Sequence, residues 1–174
     1  PSLPVRRALI ERRAMALIRA SEELLLDCGD DVRLQAFVAS QVRAGREQGR
    51  RVAVLLHGWE GSAESLYVLS LGQELFDRGY EVVRLNLRDH GATHHLNREI
   101  FHSCRLSEVI GAMRVLQKRY AGKPLHLAGF SLGGNFMLRV AAQAPAAKLD
   151  IPAVAAVSPV LDPARTLVAL ETGF

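Results

Sequence analysis

The segment Pro124–Pro145, PLHLAGFSLGGNFMLRVAAQAP, decides how the chain is interpreted. Its first part, Leu125–Phe130, is a short apolar run that is typical of a buried strand. Its second part, 132–143, predicts a helix because apolar residues recur there at helical spacing. These residues are Phe136, Met137, Val140 and Ala144. Between the two parts lies Gly129-Phe130-Ser131-Leu132-Gly133, a GxSxG sequence.

The two glycines of this sequence indicate a tight turn around Ser131. A side chain at Gly129 or Gly133 would collide with the neighbouring strand or helix, and Ser131 itself is expected to adopt strained dihedral angles. The turn would hold the Ser131 hydroxyl at the N-terminus of the following helix, where free N–H groups favour a developing oxyanion. The sequence therefore predicts Ser131 as a nucleophile, with an ordinary strand–helix turn as the alternative.

The rest of the chain alternates strands and helices. Predicted strands cover 22–27, 32–40, 52–56, 80–87, 125–130 and 151–157, and predicted helices cover 4–21, 63–78, 106–121, 132–143 and 162–172. The first two strands form an opening hairpin through the turn residues Cys28–Asp31. This order predicts an α/β fold with a mostly parallel sheet and helices on both faces. We expect two parts, an N-terminal basic helix over 1–21 and a core domain over 22–174.

The net charge of +4 is concentrated at the start of the 174-residue chain. Residues 1–20 hold five arginines and one glutamate, whereas the remaining 154 residues are neutral overall. The predicted core domain therefore has no global basic field, which argues against nucleic-acid binding. Membrane association is not expected either, because no apolar run approaches the length of a membrane span. Two cysteines, Cys28 and Cys104, make no disulfide framework, so a cytoplasmic setting is expected.

Four of the six histidines lie in the polar segment 88–103. His94-His95, with His90 nearby, suggests a metal cluster, but no carboxylate or cysteine stands at firm ligand spacing. We therefore predict no metal site and interpret these residues as solvated or lid histidines. His57, which follows the strand 52–56, is predicted to be a structural hydrogen-bond donor or acceptor. His126 alternates with leucines on its strand and is predicted to pack in the core.

Four segments together resemble the α/β-hydrolase fold, and more narrowly the bacterial YheT-like esterase group with its eukaryotic ABHD-type relatives. They are HGWEGSAES (57–65), RLNLRDHG (84–91), FHS (101–103) and GFSLGGN (129–135). The resemblance covers most of residues 22–160. It implies that Ser131 is the nucleophile and that the backbone N–H groups of Trp59 and Leu132 form an oxyanion hole. It also implies a carboxylesterase or lipase activity on a small-molecule ester or thioester, without a cofactor.

The chain departs from the pattern of this group at two places. The group usually has Arg-Gly where this chain has Arg88-Asp89, and Gly-x-x-x-Asp where it has Cys104 and Glu108. Both places lie in the loop and the helix start that precede the GxSxG segment.

A larger departure concerns the rest of a catalytic triad, which in this fold follows the order Ser, acid, His. No histidine follows Ser131, and the acids after it are Asp150, Asp162 and Glu171. Asp162 lies where some α/β-hydrolases place their acid, but Asp162-Pro163 is also a typical helix start and we favour the cap. Three interpretations stay open: a C-terminally incomplete part of a larger hydrolase, which we favour, a histidine from a second chain, or a degenerate protein. The alternative function is a non-catalytic interaction module, and the oligomeric state stays open.

Overall fold

The computed structural model describes residues 3–173, which contain six strands and six α-helices. The strands are β1 Ser21–Asp27, β2 Arg33–Ala39, β3 Arg51–Leu56, β4 Tyr80–Leu85, β5 Leu125–Phe130 and β6 Ala153–Val157. The helices are α1 Leu3–Arg13, α2 Met15–Arg19, α3 Leu66–Asp77, α4 Leu106–Arg119, α5 Leu132–Ala147 and α6 Pro163–Thr172. A short 3-10 helix covers Val42–Ala44.

The strands form one sheet in the order β1-β2-β4-β3-β5-β6. Strands β1 and β2 pair as an antiparallel hairpin, and β2 also runs antiparallel to β4. The pairs β3–β4, β3–β5 and β5–β6 are parallel. The predicted opening hairpin and mostly parallel sheet are therefore confirmed.

Helices cover both faces of the sheet, as predicted. On one face α4 and α5 pack against Val52, Val54 and Leu56 of β3. On the other face α2 and α3 pack in a second cluster that contains Leu55. Residues of β3 therefore alternate between two buried cores, which explains why this strand is apolar at every position from Val52 onwards.

Three predicted helices differ from the structure by several residues. Helix α5, predicted over 132–143, continues through Pro145 to Ala147. The N-terminal helix predicted over 4–21 is two helices, because Ala14 has a turn conformation and Ser21 already begins β1. Helix α3 begins at Leu66 and not at Ala63. The N–H of Ala63 donates to Oδ1 of Asn86 and its carbonyl accepts from Arg84, so this residue is tied to the end of β4.

Ala14, Leu17 and Ala20 are buried in the same cluster as residues of α3 and β3. The second of the two N-terminal helices thus packs into the core on one sheet face. The predicted division into a helix over 1–21 and a domain over 22–174 stays a prediction, and residues 1, 2 and 174 lie outside the described part.

The strand order places a crevice at the carboxyl ends of β3 and β5. The chain leaves β3 through α3 towards β4 on one side, and it leaves β5 through α5 towards β6 on the other. In open α/β sheets such a reversal of direction leaves a crevice between the two adjacent strand ends, where ligands bind. Residues 57–59, after β3, and Ser131, after β5, lie at this crevice.

Candidate active site

Ser131 is the single residue between β5 and α5, and its backbone is strained. Its φ of 50° and ψ of −118° lie in a region that residues other than glycine seldom adopt. The N–H of Ser131 donates to the carbonyl of Val157 at 2.9 Å, which ties the turn to β6. Its side chain is exposed, and Oγ makes no hydrogen bond within residues 3–173. The turn therefore presents a free hydroxyl to solvent at the helix N-terminus.

The glycines around Ser131 are required by close backbone approaches. A Cβ at Gly129 would lie 2.4 Å from the carbonyl oxygen of Gly133, and one at Gly133 would lie 2.2 Å from that of His57. A Cβ at Gly58 would lie 3.2 Å from the Cβ of Ser131. The tight turn expected from the sequence is confirmed, and the end of β3 lies against the serine.

His57 fixes the backbone at the end of β3. Its side chain is fully buried, and Nδ1 donates to the carbonyl of Gly58 at 2.7 Å while Nε2 accepts from the N–H of Leu87 at 3.1 Å. This pattern requires the neutral ring with its proton on Nδ1. Burial lowers the pKa of His57 to about 4, the bond to Gly58 raises it in part, and the neighbouring His90 lowers it further. The predicted structural role of His57 is confirmed.

The N–H groups beside Ser131 differ in whether they have acceptors. The N–H of Gly58 donates to the hydroxyl of Tyr67 at 3.1 Å. The N–H groups of Trp59 and Leu132, the two residues expected to form the oxyanion hole, make no hydrogen bond to the described residues. Both residues border the same cavity as Ser131.

A cavity of about 480 Å³ opens at Ser131. Its walls are mainly apolar and come from the β3 exit, the segment 101–103 and α6. The apolar lining residues are Trp59, Phe101, Leu132, Val160, Pro163, Leu167 and Leu170. His102 and Ser103 add polar groups to the wall. A cavity of this kind can hold an apolar group next to the serine hydroxyl.

Two buried charges hold the segment 99–103 against this cavity. Arg88 donates through Nε and a terminal nitrogen to the two carboxylate oxygens of Glu108, at 3.2 and 2.7 Å, and through its other terminal nitrogen to the carbonyl of Glu99 at 2.8 Å. Arg88 and Glu108 expose only 4% and 7% of their side chains. The N–H of Phe101 donates to Oδ2 of Asp89 at 2.6 Å.

Sequence reasoning missed two features of this wall. The Arg88–Glu108 ion pair was not predicted. Arg88 directly precedes Asp89, and Asp89 and Glu108 are both positions at which the sequence is expected to depart from the YheT-like pattern. His102 was not singled out as a lining residue, although FHS was one of the segments that carried the resemblance. The signal for a role of this segment was therefore present in the sequence, but the cavity wall that it forms was not visible there.

Asp162 caps α6. Its Oδ1 accepts from the N–H of Arg165 at 3.1 Å, and Pro163 is the first residue of the helix. The predicted helix start is confirmed. The carboxylate is exposed and also pairs with the Arg165 side chain at 3.3 Å. Asp162 is not among the residues that line the cavity at Ser131.

The histidines of the segment 88–103 separate into two groups. His94, His95 and His102 are exposed, whereas His90 is buried and its Nδ1 donates to the carbonyl of Arg88 at 2.7 Å. The prediction that His90 is a solvated or lid histidine is therefore wrong, since its ring packs 4.9 Å from the rings of both His57 and Phe101. Within residues 3–173, no cluster of three or more His, Cys, Asp or Glu side chains could hold a metal ion.

The part of the chain that carries this site matches a known protein family. Residues 52–172 match the sequence profile of the alpha/beta hydrolase fold family, and this match includes β3, Ser131 and α6. The chain belongs to the α/β-hydrolase fold family. A relative in Escherichia coli strain K12, named "Putative esterase YheT", is 31% identical over 84 residues, which are 48% of this chain and 25% of the relative. The resemblance inferred from the four sequence segments is thereby confirmed.

Solved α/β-hydrolase structures show the same fold. The esterase Pf2001 of Pyrococcus furiosus has a TM-score of 0.71 at 18% identity, over 92% of this chain and 62% of its own. Est1E from Butyrivibrio proteoclasticus has a TM-score of 0.64 at 18% identity, over 87% of this chain and 55% of its own. The chain thus spans a quarter of the curated relative and less than two thirds of these structures. No helix in residues 3–173 has the length and apolar character needed to cross a membrane.

Proposed function

We propose that this α/β-hydrolase chain carries the nucleophile of a serine hydrolase of the carboxylesterase or lipase type. The observation that carries the proposal is the exposed Ser131 hydroxyl, held in a strained strand–helix turn at an apolar cavity. In this proposal Oγ of Ser131 attacks the carbonyl carbon of a small-molecule ester or thioester. The alcohol or thiol leaves with a proton, and water then hydrolyses the acyl-serine.

The free N–H groups of Trp59 and Leu132 are proposed to stabilise the oxyanion that forms during the attack. Preorganised backbone donors of this kind usually supply a large part of the rate in acyl transfer. The apolar wall of the cavity would hold the acyl group, and the reaction needs no cofactor. We further propose that the chain acts on small molecules and not on nucleic acid, in a cytoplasmic setting.

The 174-residue chain alone is proposed to turn over esters slowly or not at all. A serine hydroxyl is a weak nucleophile until a general base removes its proton, and no histidine follows Ser131. His57 cannot take this role where it lies, because both of its ring nitrogens are already bonded. Asp162 remains a candidate acid that would have to give up its capping bonds to orient such a histidine.

A fluorophosphonate probe tests the assignment of Ser131. The natural protein that carries this sequence should be labelled, and Ser131→Ala should abolish labelling. Ser158→Ala is the matched control, because Ser158 is also exposed and also has a positive φ, of 46°, directly after a strand. Labelling that survives in Ser131→Ala, or that is lost equally in Ser158→Ala, would contradict the proposal.

A second candidate function is a non-catalytic interaction module of the same fold. It is favoured by one observation, the exposed apolar side chains on β6, on α6 and on the loop between them. These include Val157, Leu161, Leu167, Val168 and Leu170, which are 47% to 73% exposed. Absence of labelling in the natural protein, with ester hydrolysis equal in wild type and Ser131→Ala, would favour this module over the enzyme.

A further inference from the structure

Arg84 is a buried cation without a counter-ion. It lies on β4, its residue is 3% exposed, and no carboxylate among residues 3–173 forms an ion pair with it. One terminal nitrogen donates to the carbonyl of Ala63 at 2.8 Å and the other to the hydroxyl of Ser21 at 3.3 Å. The buried Nε has no hydrogen-bond partner. Three of the five guanidinium N–H donors are therefore unused.

Arg88, the other buried arginine, has a carboxylate partner that balances its charge. Arg88 is 4% exposed, like Arg84, but it binds both carboxylate oxygens of Glu108 and a backbone carbonyl. Burying an unpaired charge is costly, so buried cations are normally paired in this way. The ring of Phe37 lies 5.2 Å from the Arg84 guanidinium carbon. Its attraction for the cation offsets the cost of burying this charge only in part.

Arg84 also borders a cavity of about 450 Å³ on the sheet face that carries α1 and α2. This volume lies in the usual range of small-molecule sites, about 300–1,000 Å³. Part of the wall is apolar, from Met15, Ile18, Phe37 and Leu69. The cavity lies away from Ser131, and the two cavities share no lining residue.

The other charges of the wall restrict what could bind. Glu11 is paired with Arg7 at 2.7 Å, and Glu23 accepts from Gln35 at 2.7 Å. Glu64 is exposed and makes no direct bond to Arg84. Burial lowers the pKa of Arg84 to about 10, against the attraction of Glu64, so the guanidinium stays charged at neutral pH. Nearby carboxylates disfavour a dianion such as phosphate, whereas a single negative charge on an apolar body matches both the arginine and the walls.

We propose that this cavity binds a monocarboxylate with a short apolar body, whose carboxylate pairs with Arg84 and whose body contacts Phe37 and Leu69. The site is separate from Ser131 and does not depend on the proposed hydrolase activity. A guanidinium offers parallel N–H donors that fit a carboxylate, and unused donors on a buried arginine make the pairing favourable.

Titration calorimetry with benzoate at about pH 8 tests the proposal, with benzamide as the neutral probe of the same shape and inorganic phosphate, mainly doubly charged at that pH, as the dianion. Benzoate should bind saturably, and benzamide and phosphate should bind at least about tenfold more weakly, as expected for loss of a charged hydrogen bond or added repulsion. Arg84→Met should weaken benzoate binding about tenfold or more. Arg78→Met, at an exposed arginine at the end of α3, should leave it unchanged.

Glu64→Gln keeps the test decisive if Arg84→Met does not fold, because Glu64 is exposed and its replacement leaves the core packing unchanged. Removing this negative charge should tighten benzoate binding by up to about fivefold, and the side-chain N–H signals of Arg84 should shift in NMR spectra on addition of benzoate. Absence of saturable benzoate binding at millimolar concentration overturns the proposal. So does equal binding of benzoate and benzamide, or benzoate affinity that is unchanged in Arg84→Met.

Discussion

Gly133→Ala should destabilise the chain strongly, although the change adds only one methyl group. The new Cβ would lie 2.2 Å from the carbonyl oxygen of His57 and 2.6 Å from that of Leu56. An ordinary C···O contact is about 3.3 Å, so the overlap with the first oxygen is roughly 1 Å. Both oxygens belong to the backbone at the end of β3, which cannot turn aside as a side chain would. Helix α5 must therefore move away from the sheet.

The expected cost is about 3 kcal/mol in the free energy of unfolding, the upper end of what overpacking usually costs. Gly134→Ala is the matched control, because its Cβ would meet its nearest atoms at 3.1 to 3.4 Å and needs only a small adjustment. Both glycines lie in the first turn of α5, so the gain in helix propensity is common to both variants.

Urea unfolding followed by circular dichroism measures this difference. Gly133→Ala should fall about 3 kcal/mol below wild type, or about 6–12 °C in Tm for a chain of this size, whereas Gly134→Ala should stay near wild type. If the two variants differ by less than about 1 kcal/mol, the lower limit of what overpacking usually costs, then the close approach of α5 to β3 does not control stability and the reasoning is refuted.

Three further predictions concern buried or exposed side chains. Glu108→Gln leaves Arg88 buried without its charge partner and should cost about 3–5 kcal/mol in urea unfolding; a variant as stable as wild type would contradict this. Between pH 7 and pH 4 the wild type should lose about 3 kcal/mol more stability than His57→Gln. The pKa of His57 is about 4 in the folded chain and near 6.5 in the unfolded chain. As the pH falls, the unfolded chain therefore takes up a proton at this histidine before the folded chain does, which favours unfolding. His94→Gln, at an exposed histidine, should follow the wild type, and parallel losses in all three proteins would rule out His57 as the cause. If residues 1–174 are expressed alone, the chain should self-associate through the edge strand β6, and Val157→Lys, at a position that is 47% exposed, should lower the mass measured by light scattering; an unchanged mass would exclude this edge.

The elements of the fold were predictable because their signals are local. Leu125–Phe130 is a strand with the predicted bounds, since an apolar run of six residues between a proline and a tight turn has few other solutions. The four residues expected on the buried face of α5 are all buried. The glycines of the GxSxG sequence were likewise predictable, because a turn between a strand and a helix packed against each other leaves no room for a Cβ.

The polar interior was not predictable, because it depends on partners distant in sequence. Arg84 and Arg88 are both buried, and nothing in the local sequence distinguishes the one with a carboxylate partner from the one without. His90 was expected in solvent because it lies in a polar segment, but the segment folds back and places its ring between His57 and Phe101. Local hydrophobicity indicates which strands and helices are buried, and only the tertiary structure shows which polar groups accompany them.

Two carboxylates fix the segment 99–103, Asp89 directly and Glu108 through Arg88. Asp89 has the left-handed backbone that glycine favours, with a φ of 58°. This conformation costs a residue with a Cβ about 1–2 kcal/mol. The Asp89 carboxylate, however, accepts from the N–H of Phe101, and a hydrogen bond to a charged group contributes about 1.5–3 kcal/mol. Glu108 accepts from two nitrogens of the Arg88 guanidinium, and the third nitrogen donates to the carbonyl of Glu99. Both carboxylates therefore fix the segment that lines the cavity at Ser131. Loss of either carboxylate should loosen that wall more than it loosens the sheet.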